Sequence, residues 1–525
     1  MEQCWDVVVI GTGFGGSMAS LPLVRSGLRV LLIERGRWVD RDASAWDPRA
    51  ILIDRKYRSA SPHEHGPRLL YPDEAVGGKS VFYGAASFRM RAEDFALTER
   101  FGDRVAGVSL DWPITYGDLA PFYDEVERLL GVAGAAGHDP TEPPRRAGYD
   151  IAPPPFSAPA RRIADAATAM GLHPFPIPLA VNYKENGRAA CVRCLTCDLF
   201  PCRIGAKNDL SVTVLPDAMS QGAVVLDDTI AVRLLLEGAP SRVTGVECLD
   251  ATTGRRFVVR CRVCLAAGGA IGSASLLLRS GLADVRPSGR WIGRCLMRHC
   301  SGIVIGLFPF DTNPERVFHK QIAITDFYFG HPAGDAPSGP WGMIQGLQVA
   351  PPEYIADQGP FPMGAIGAGT TGNQIYLLCI GQDLPDPGNR VVLDETRADR
   401  YGIPVSRIVH RYRPRDLRVR RGLYREAGRL LRRAGALVRV RRPIDTFSHA
   451  LGTCRFGRAP ETAALDPWCR FFGIRNLFVV DGSFMPSSGG VNPSLTIAAN
   501  GLRVGRFLVE EWQRIGERRL AWATS

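Results

Sequence analysis

Asp6-Val-Val-Val-Ile-Gly-Thr-Gly-Phe-Gly-Gly-Ser17, followed by Val30-Leu-Leu-Ile-Glu-Arg35, decides the fold. Asp6 to Ile10 is a short run rich in β-branched apolar residues, the composition of a parallel strand buried on both faces. Gly11, Gly13 and Gly16 then spell G-x-G-x-x-G on the way into a helix, with Phe14 and Gly15 inside the same turn. The first glycine permits a tight turn, the second lets a pyrophosphate approach the backbone, and the third packs helix on strand. The helix N-terminus presents free N–H groups and a positive dipole end to the phosphates. The second apolar run, Val30 to Ile33, ends in Glu34, with Arg35 beside it, and the acid can accept a ribose hydroxyl. An ordinary strand–helix turn would leave Glu34 unexplained, so the combination points to a dinucleotide; the motif does not separate FAD from NAD. Pro22, inside the expected helix, should kink it.

The composition fits this reading. A chain of 525 residues can bury a large core in two or more domains, and 45% hydrophobic with 22% charged residues is the balance of a soluble globular protein. No apolar run is long enough for a membrane span. The first strand begins a few residues after Met1, which leaves no room for a signal peptide and makes an intracellular, cytoplasmic location the expectation. The net charge of +11 comes largely from scattered arginines, as in Arg418-Val-Arg-Arg, that read as solvated helix faces. No module interleaves basic residues with stacking aromatics, so nucleic acid is not an expected partner.

Further along, Val76-Gly-Gly-Lys-Ser-Val-Phe-Tyr-Gly-Ala-Ala offers a glycine pair and small residues against which a flat ring could lie, or simply a tight loop packed on the core. Trp38 to Tyr71 reads as loop and short helices. Asp111-Trp-Pro-Ile-Thr-Tyr leads into an amphipathic helix carrying Leu119, Phe122, Tyr123, Val126 and Leu130. Ala223 to Arg262 reads as two or three strands, and Val263-Cys-Leu-Ala-Ala-Gly-Gly as a further strand that could return to the first sheet. Ser301–Pro309, Phe318–Phe329 and Ile375–Gln382 read as strands of an antiparallel sheet, and Asp416–Ala434 as a basic helix announced by Pro414. Leu477 to Val480 is a buried strand ending in Asp481, and Pro493 suits the first turn of a last helix.

In this order, nearly end to end, these segments resemble the glucose–methanol–choline (GMC) family of FAD-dependent oxidoreductases, in particular its bacterial alcohol dehydrogenase and cholesterol-oxidase-like branch. The resemblance is carried by the N-terminal fingerprint, Gly77-Gly78, Trp112-Pro-Ile-Thr-Tyr, Ala266-Ala-Gly-Gly-Ala, Ile292-Gly-Arg with His299, Pro387-Gly-Asn-Arg-Val-Val-Leu-Asp, His449-Ala-Leu-Gly-Thr, Asn476-Leu-Phe-Val-Val-Asp and Asn492-Pro. It implies an α/β fold: a discontinuous Rossmann-like FAD-binding domain over 1–90, 203–300 and 465–525. A second, substrate-binding domain over 91–202 and 301–464 would be built on an antiparallel sheet flanked by helices and would include the Cys-rich segment 191–202. It implies FAD held by Gly11, Gly13, Phe14, Gly15, Gly16, Glu34, Arg35, Gly77, Gly78, Ser80, Gly84, Ala85, Ala267, Gly268 and Gly482, with Val232 near the adenine and Asp481 near the ribityl chain or pyrophosphate. Asn492, Pro493 and Ser494 would bring a helix N-terminus to the pyrimidine edge of the flavin.

Relatives that bind FAD covalently use a His after the glycine pair; Ser80-Val-Phe-Tyr offers none, so the expectation is non-covalent FAD. Where many relatives have Asn, this chain has Tyr83. The resemblance implies catalytic positions at His449 and Asn492. A neutral imidazole can take the hydroxyl proton while a hydride passes to flavin N5, and an Asn can hold the substrate oxygen without competing for the proton. The reaction implied is oxidation of an alcohol to a carbonyl. A sugar, aminosugar or cyclitol in a bacterial pathway is the substrate reading, with a steroid alcohol as the alternative. The acceptor is left open between oxygen, a quinone or dye, and a protein. A non-redox FAD-containing lyase and a non-enzymatic flavin redox partner or sensor are the rivals from other classes.

Cys191, Cys194, Cys197 and Cys202 are four thiols in C-x2-C-x2-C-x4-C. The spacing suits an iron–sulfur cluster, a structural zinc, or thiols without a metal.

Overall fold

Val7, Val8 and Val9 have no exposed surface, and the strand they belong to, Cys4–Ile10, lies inside a seven-stranded sheet. The computed structural model describes residues 4–58, 64–65, 74–102, 108–238, 242–285, 287–331, 339–360 and 362–516. Cys4–Ile10 pairs in parallel with Val30–Ile33, which continues to Val224–Leu226, and on its other side with Arg256–Ala266. Arg256–Ala266 has two halves. Its first residues pair antiparallel with Arg242–Asp250, itself antiparallel to Thr229–Glu237; its last, Cys264–Ala266, pair in parallel with Leu477–Val479. Its burial alternates and then becomes continuous, so the strand expected from Val263 is the buried end of a longer one. Helix Phe14–Arg25 runs through Pro22 and packs along helix Ser494–Glu510.

The second sheet is antiparallel throughout, in the order Val438–Pro443, Gly302–Leu307, Gln374–Gly381, Gly342–Leu347, Ile322–Ile324, Phe175–Pro176. Helix Pro414–Arg433 covers one face, where Val419, Leu423, Leu430 and Leu431 meet Val304, Ile344, Leu377 and Cys379. Pro414 occupies the first turn of that helix, and Arg413 N–H donates to Asp416 Oδ2 at 3.0 Å. The opposite face carries Met343, Leu378 and Ile380, which share one core with the first sheet. The architecture is therefore α/β, a Rossmann-like sheet joined through its core to an antiparallel sheet flanked by helices.

Three elements depart from the sequence reading. Phe318–Phe329 contributes only Ile322–Ile324 as strand. Helices Pro352–Gln358 and Met363–Gly369 were not expected, and between them they bury only Gly364, so no apolar periodicity announces them. Part of the Trp38–Tyr71 segment forms short turns, Ala43–Trp46 and Arg49–Ile53; residues 59–63 and 66–71 of it, and 517–525 at the end of the chain, lie outside the described residues. Among the described residues no helix is long and apolar enough to cross a membrane.

Candidate active site

The carboxyl ends of three neighbouring parallel strands come together at Gly11, Ala267 and Val480. Gly11 has φ +107°, and a Cβ there would lie 2.3 Å from Ala267 O, so both backbone conformation and space demand glycine. At Gly13 a Cβ would meet nothing within 4 Å, which leaves the opening a phosphate needs at the start of helix Phe14–Arg25. Gly15 lies against the backbone of Val480, and Gly16 against that of Gly11. Phe14 opens the helix with its ring 5.4 Å from that of Tyr83.

Glu34 is buried at the end of its strand, and Thr12 is the residue that organises it. Thr12 donates to Glu34 Oε2 from its N–H at 2.9 Å and its hydroxyl at 2.6 Å, and Gly36 N–H donates to Oε1 at 3.0 Å. Thr12 Oγ1 in turn accepts from Gly77 N–H at 2.9 Å, which ties the Gly77-Gly78 loop to the fingerprint. Burial pushes the Glu34 carboxyl up despite these bonds. Arg35 turns away to Glu74 at 3.1 Å. Ser80 donates to Gly77 O at 2.7 Å and accepts from Leu210 N–H at 3.0 Å, so it holds the loop. Ala85, a buried non-glycine residue at φ +58°, accepts from Ala180 N–H at 2.9 Å. Asp481 accepts from Ser273 and Ser483, and burial raises its carboxyl too. Ala267 N–H donates to Ile10 O at 2.8 Å, and Gly268 N–H to Ser273 Oγ at 3.0 Å.

His449 lies across the molecule in sequence but beside His299 in space, Nδ1 to Nδ1 at 2.9 Å. His299 was part of the sequence pattern without a role; it is 1% exposed and held at φ +60°. Its N–H donates to Asp383 Oδ1 at 3.1 Å, its carbonyl accepts from Tyr412 Oη at 2.8 Å, and its Nε2 lies 3.0 Å from both Ser488 O and Gly489 O. Two carbonyls cannot donate, so Nε2 of His299 carries the hydrogen. Burial lowers this ring to about 4, so at neutral pH it is uncharged and its Nδ1 is bare. The hydrogen between the rings therefore belongs to Nδ1 of His449, which leaves His449 Nε2 as a free acceptor. Burial, then His299, Lys320 and Lys79, hold His449 well below its ordinary value. The Ser488–Gly489 segment that braces His299 runs directly into Asn492, whose Oδ1 is buried without a partner. Pro493 sits at the cap of helix Ser494–Glu510, and Ser494 Oγ donates to Ala86 O at 3.1 Å, joining that helix to the Gly84–Ser87 loop.

A GMC oxidoreductase family model for the N-terminal part matches residues 8–301, and one for the C-terminal part matches 385–501. The chain belongs to the GMC oxidoreductase family. It is 34% identical to paromamine 6'-oxidase of Streptomyces fradiae over 96% of this chain and 91% of that protein. It is also 34% identical to 6'''-hydroxyparomomycin C oxidase of Streptomyces lividus, over 97% of this chain and 92% of that protein. The solved structure of pyridoxine 4-oxidase from Mesorbium loti superposes with a TM-score of 0.65 at 21% identity, covering 96% of this chain and 99% of that one, a likeness of fold. As a GMC oxidoreductase the chain is an FAD-dependent enzyme acting on alcohol groups. The open cradle at Gly13 and the helix start at Phe14 fit that cofactor.

Within the GMC frame, Gly84 backs onto an ion pair, Lys320 Nζ to Asp198 Oδ1 at 2.8 Å; a Cβ on Gly84 would fall 2.0 Å from that Nζ. Gly482 O accepts from Gly452 N–H at 3.1 Å, which carries the His449 segment on the end of the first sheet. Val232 lies in a small cluster with Ile230, Leu249 and Ile403, and its carbonyl accepts from Arg279 at 2.9 Å.

Of the three readings of the cysteine cluster, neither metal site is supported. Cys191, Cys194, Cys197 and Cys202 are free thiols, and among the described residues they form no group of three or more ligands that could hold a metal ion. Burial pushes the Cys191 thiol up to about 11 and the Cys197 thiol higher still. The short spacing reflects a loop: Cys191 Sγ accepts from Arg193 N–H, and buried Lys207 donates to Cys197 O and Phe200 O at 3.1 and 2.6 Å.

Proposed function

We propose that the enzyme oxidises one hydroxyl of a sugar, aminosugar or cyclitol, with His449 Nε2 as the general base and Asn492 as the holder of the reacting oxygen. The observation that carries the proposal is the Nδ1–Nδ1 contact at 2.9 Å, because it leaves His449 one tautomer and one free acceptor. The Gly11–Gly16 cradle would hold FAD without a covalent bond, and the cofactor would supply the hydride acceptor. His299 keeps the imidazole of His449 turned with Nε2 outward, and its bare Nδ1 continues to accept from His449 Nδ1–H once the proton arrives. Lys320 and Lys79 favour negative charge on the substrate oxygen as its proton leaves. Asn492 holds the reacting oxygen by donating from its amide nitrogen, so it does not compete for the proton, and its buried, unpaired Oδ1 is left to accept from a neighbouring, non-reacting hydroxyl or amino group. The aminosugar reading draws on the two aminoglycoside oxidases to which the chain is similar along its length.

The test is anaerobic mixing of the flavin-loaded protein with a panel of alcohols while the flavin absorbance is followed. Bleaching by a member of the panel supports the proposal. A protein that converts a substrate with no bleaching is the lyase, and one inert to every alcohol is the sensor.

A further inference from the structure

The inner face of the antiparallel sheet holds polar groups that the protein itself leaves unused. Gln345 is 1% exposed and Gln382 0% exposed, and in both the amide nitrogen and the amide oxygen are buried without a partner among the described residues. The other buried glutamines show that this is not a habit of the fold. Gln321 accepts from Ser157 N–H at 2.8 Å and donates to Pro155 O at 3.0 Å, and Gln374 donates to Gly367 O at 3.0 Å.

Both unpaired amides lie on the face turned away from helix Pro414–Arg433. Gln345 alternates with Ile344, which packs on that helix, and stands opposite Leu378; Gln382 follows Gly381, two places after Ile380. Each end of this face leads to the catalytic groups. Gln382 precedes Asp383, whose carboxylate holds the N–H of His299. Gln345 also stands opposite Ala323, just beyond Lys320, whose charge acts on His449. There a further acceptor is left over: Asp198 gives one oxygen to Lys320, and its Oδ2 is buried without a partner. The amides are separated by four strand positions, about 13 Å at about 3.3 Å per residue, so a ligand with a single hydroxyl cannot serve both.

We propose that Gln345 and Gln382, with Asp198 Oδ2 at the Gly84 rim, form the specificity subsite of this enzyme and select a polyhydroxylated compound through the hydroxyl or amino groups that are not oxidised. The inference rests on the reading of the site as alcohol-oxidising and sharpens it, since a sterol would bury these amides against hydrocarbon. A site built to hydrogen-bond hydroxyls rejects partners that lack them far more strongly than an apolar pocket rejects a misfit.

The experiment compares wild type with Gln345→Leu, Gln382→Leu and the double variant. D-glucosamine, myo-inositol, hexanol and cholesterol serve as probes, with anaerobic flavin bleaching and melting temperature as readouts. Expected is at least a tenfold fall in kcat/KM for the polyols with hexanol changed less than threefold, and a ligand-free Tm that holds or rises. Thermal stabilisation of the wild type by the polyols should disappear in the variants. A polyol-to-hexanol ratio unchanged in the variants overturns the proposal, as does a wild type bleached best by hexanol or cholesterol; both leave His449 as base intact. A lowered Tm in the variants, without loss of selectivity, assigns the amides a structural role and overturns it too. Should the double variant not fold, each Gln→Met variant carries the same comparison.

Discussion

The two sides of this active site treat their buried polar groups in opposite ways. On the cradle side Glu34, Ser80 and Asp481 are all closed into internal hydrogen bonds, through Thr12, Gly36, Gly77, Leu210, Ser273 and Ser483. On the proposed substrate side Asn492, Gln345 and Gln382 keep buried atoms with no partner among the described residues. Internal satisfaction gives the cradle a shape that exists before any ligand arrives, at little cost in buried unpaired groups. Unsatisfied groups store a preference for whatever completes them. On the proposed reading, the cofactor side is thus built for one constant occupant, and the sheet side for a selected one.

The contrast can be broken or sharpened by substitution. His449→Ala should have the largest effect, lowering kcat by about 10²–10⁴ while flavin still binds; rapid-mixing rates of flavin bleaching measure it, and unchanged turnover would remove the base. His299→Ala comes next, with a loss of about 10² in kcat and little change in KM, the cost of a reacting group no longer held in place. The pH dependence separates positioning from damage. His449 must be neutral to accept a proton and is held well below its ordinary value, so kcat/KM should rise with pH along an acidic limb lying well below pH 6.5 and stay level through neutrality. His299 is one of the groups that lower that ring, so its removal should move the limb to higher pH. Thr12→Val attacks the other side: Glu34 would lose the hydroxyl donor and Gly77 N–H its acceptor, while the backbone N–H of residue 12 stays, costing about 1–3 kcal/mol, seen as a lower melting temperature and a lower flavin-to-protein absorbance ratio. The smallest effect belongs to Cys194→Ser, within about 0.5 kcal/mol of wild type, with no iron or zinc in either protein by metal analysis.

What the sequence made legible follows the same division. The cradle's signal is local: a β-branched run, a glycine turn and a second apolar run all lie within Asp6–Arg35, and Thr12 reaches Glu34 inside that stretch. Leu477–Val479 and helix Pro414–Arg433 were legible for a similar reason, as a buried run and an amphipathic period with a proline start. The substrate side is not local. His299 meets His449 across 150 positions, and only the fold shows that Gln321 is satisfied and Gln345 is not. The four cysteines left three readings open because short thiol spacings occur in metal sites and in plain loops alike; only the fold shows that, among the described residues, they do not gather into a group that could hold a metal ion.

The alternation of the antiparallel strands has a consequence for how this enzyme could change. Ile344, Leu377 and Cys379 anchor one side to helix Pro414–Arg433, while Gln345, Leu378 and Gln382 point the other way from the same backbone. Each position can therefore drift almost independently of its neighbour. A descendant could acquire a new diet by exchanging a few inward side chains and inherit its architecture untouched.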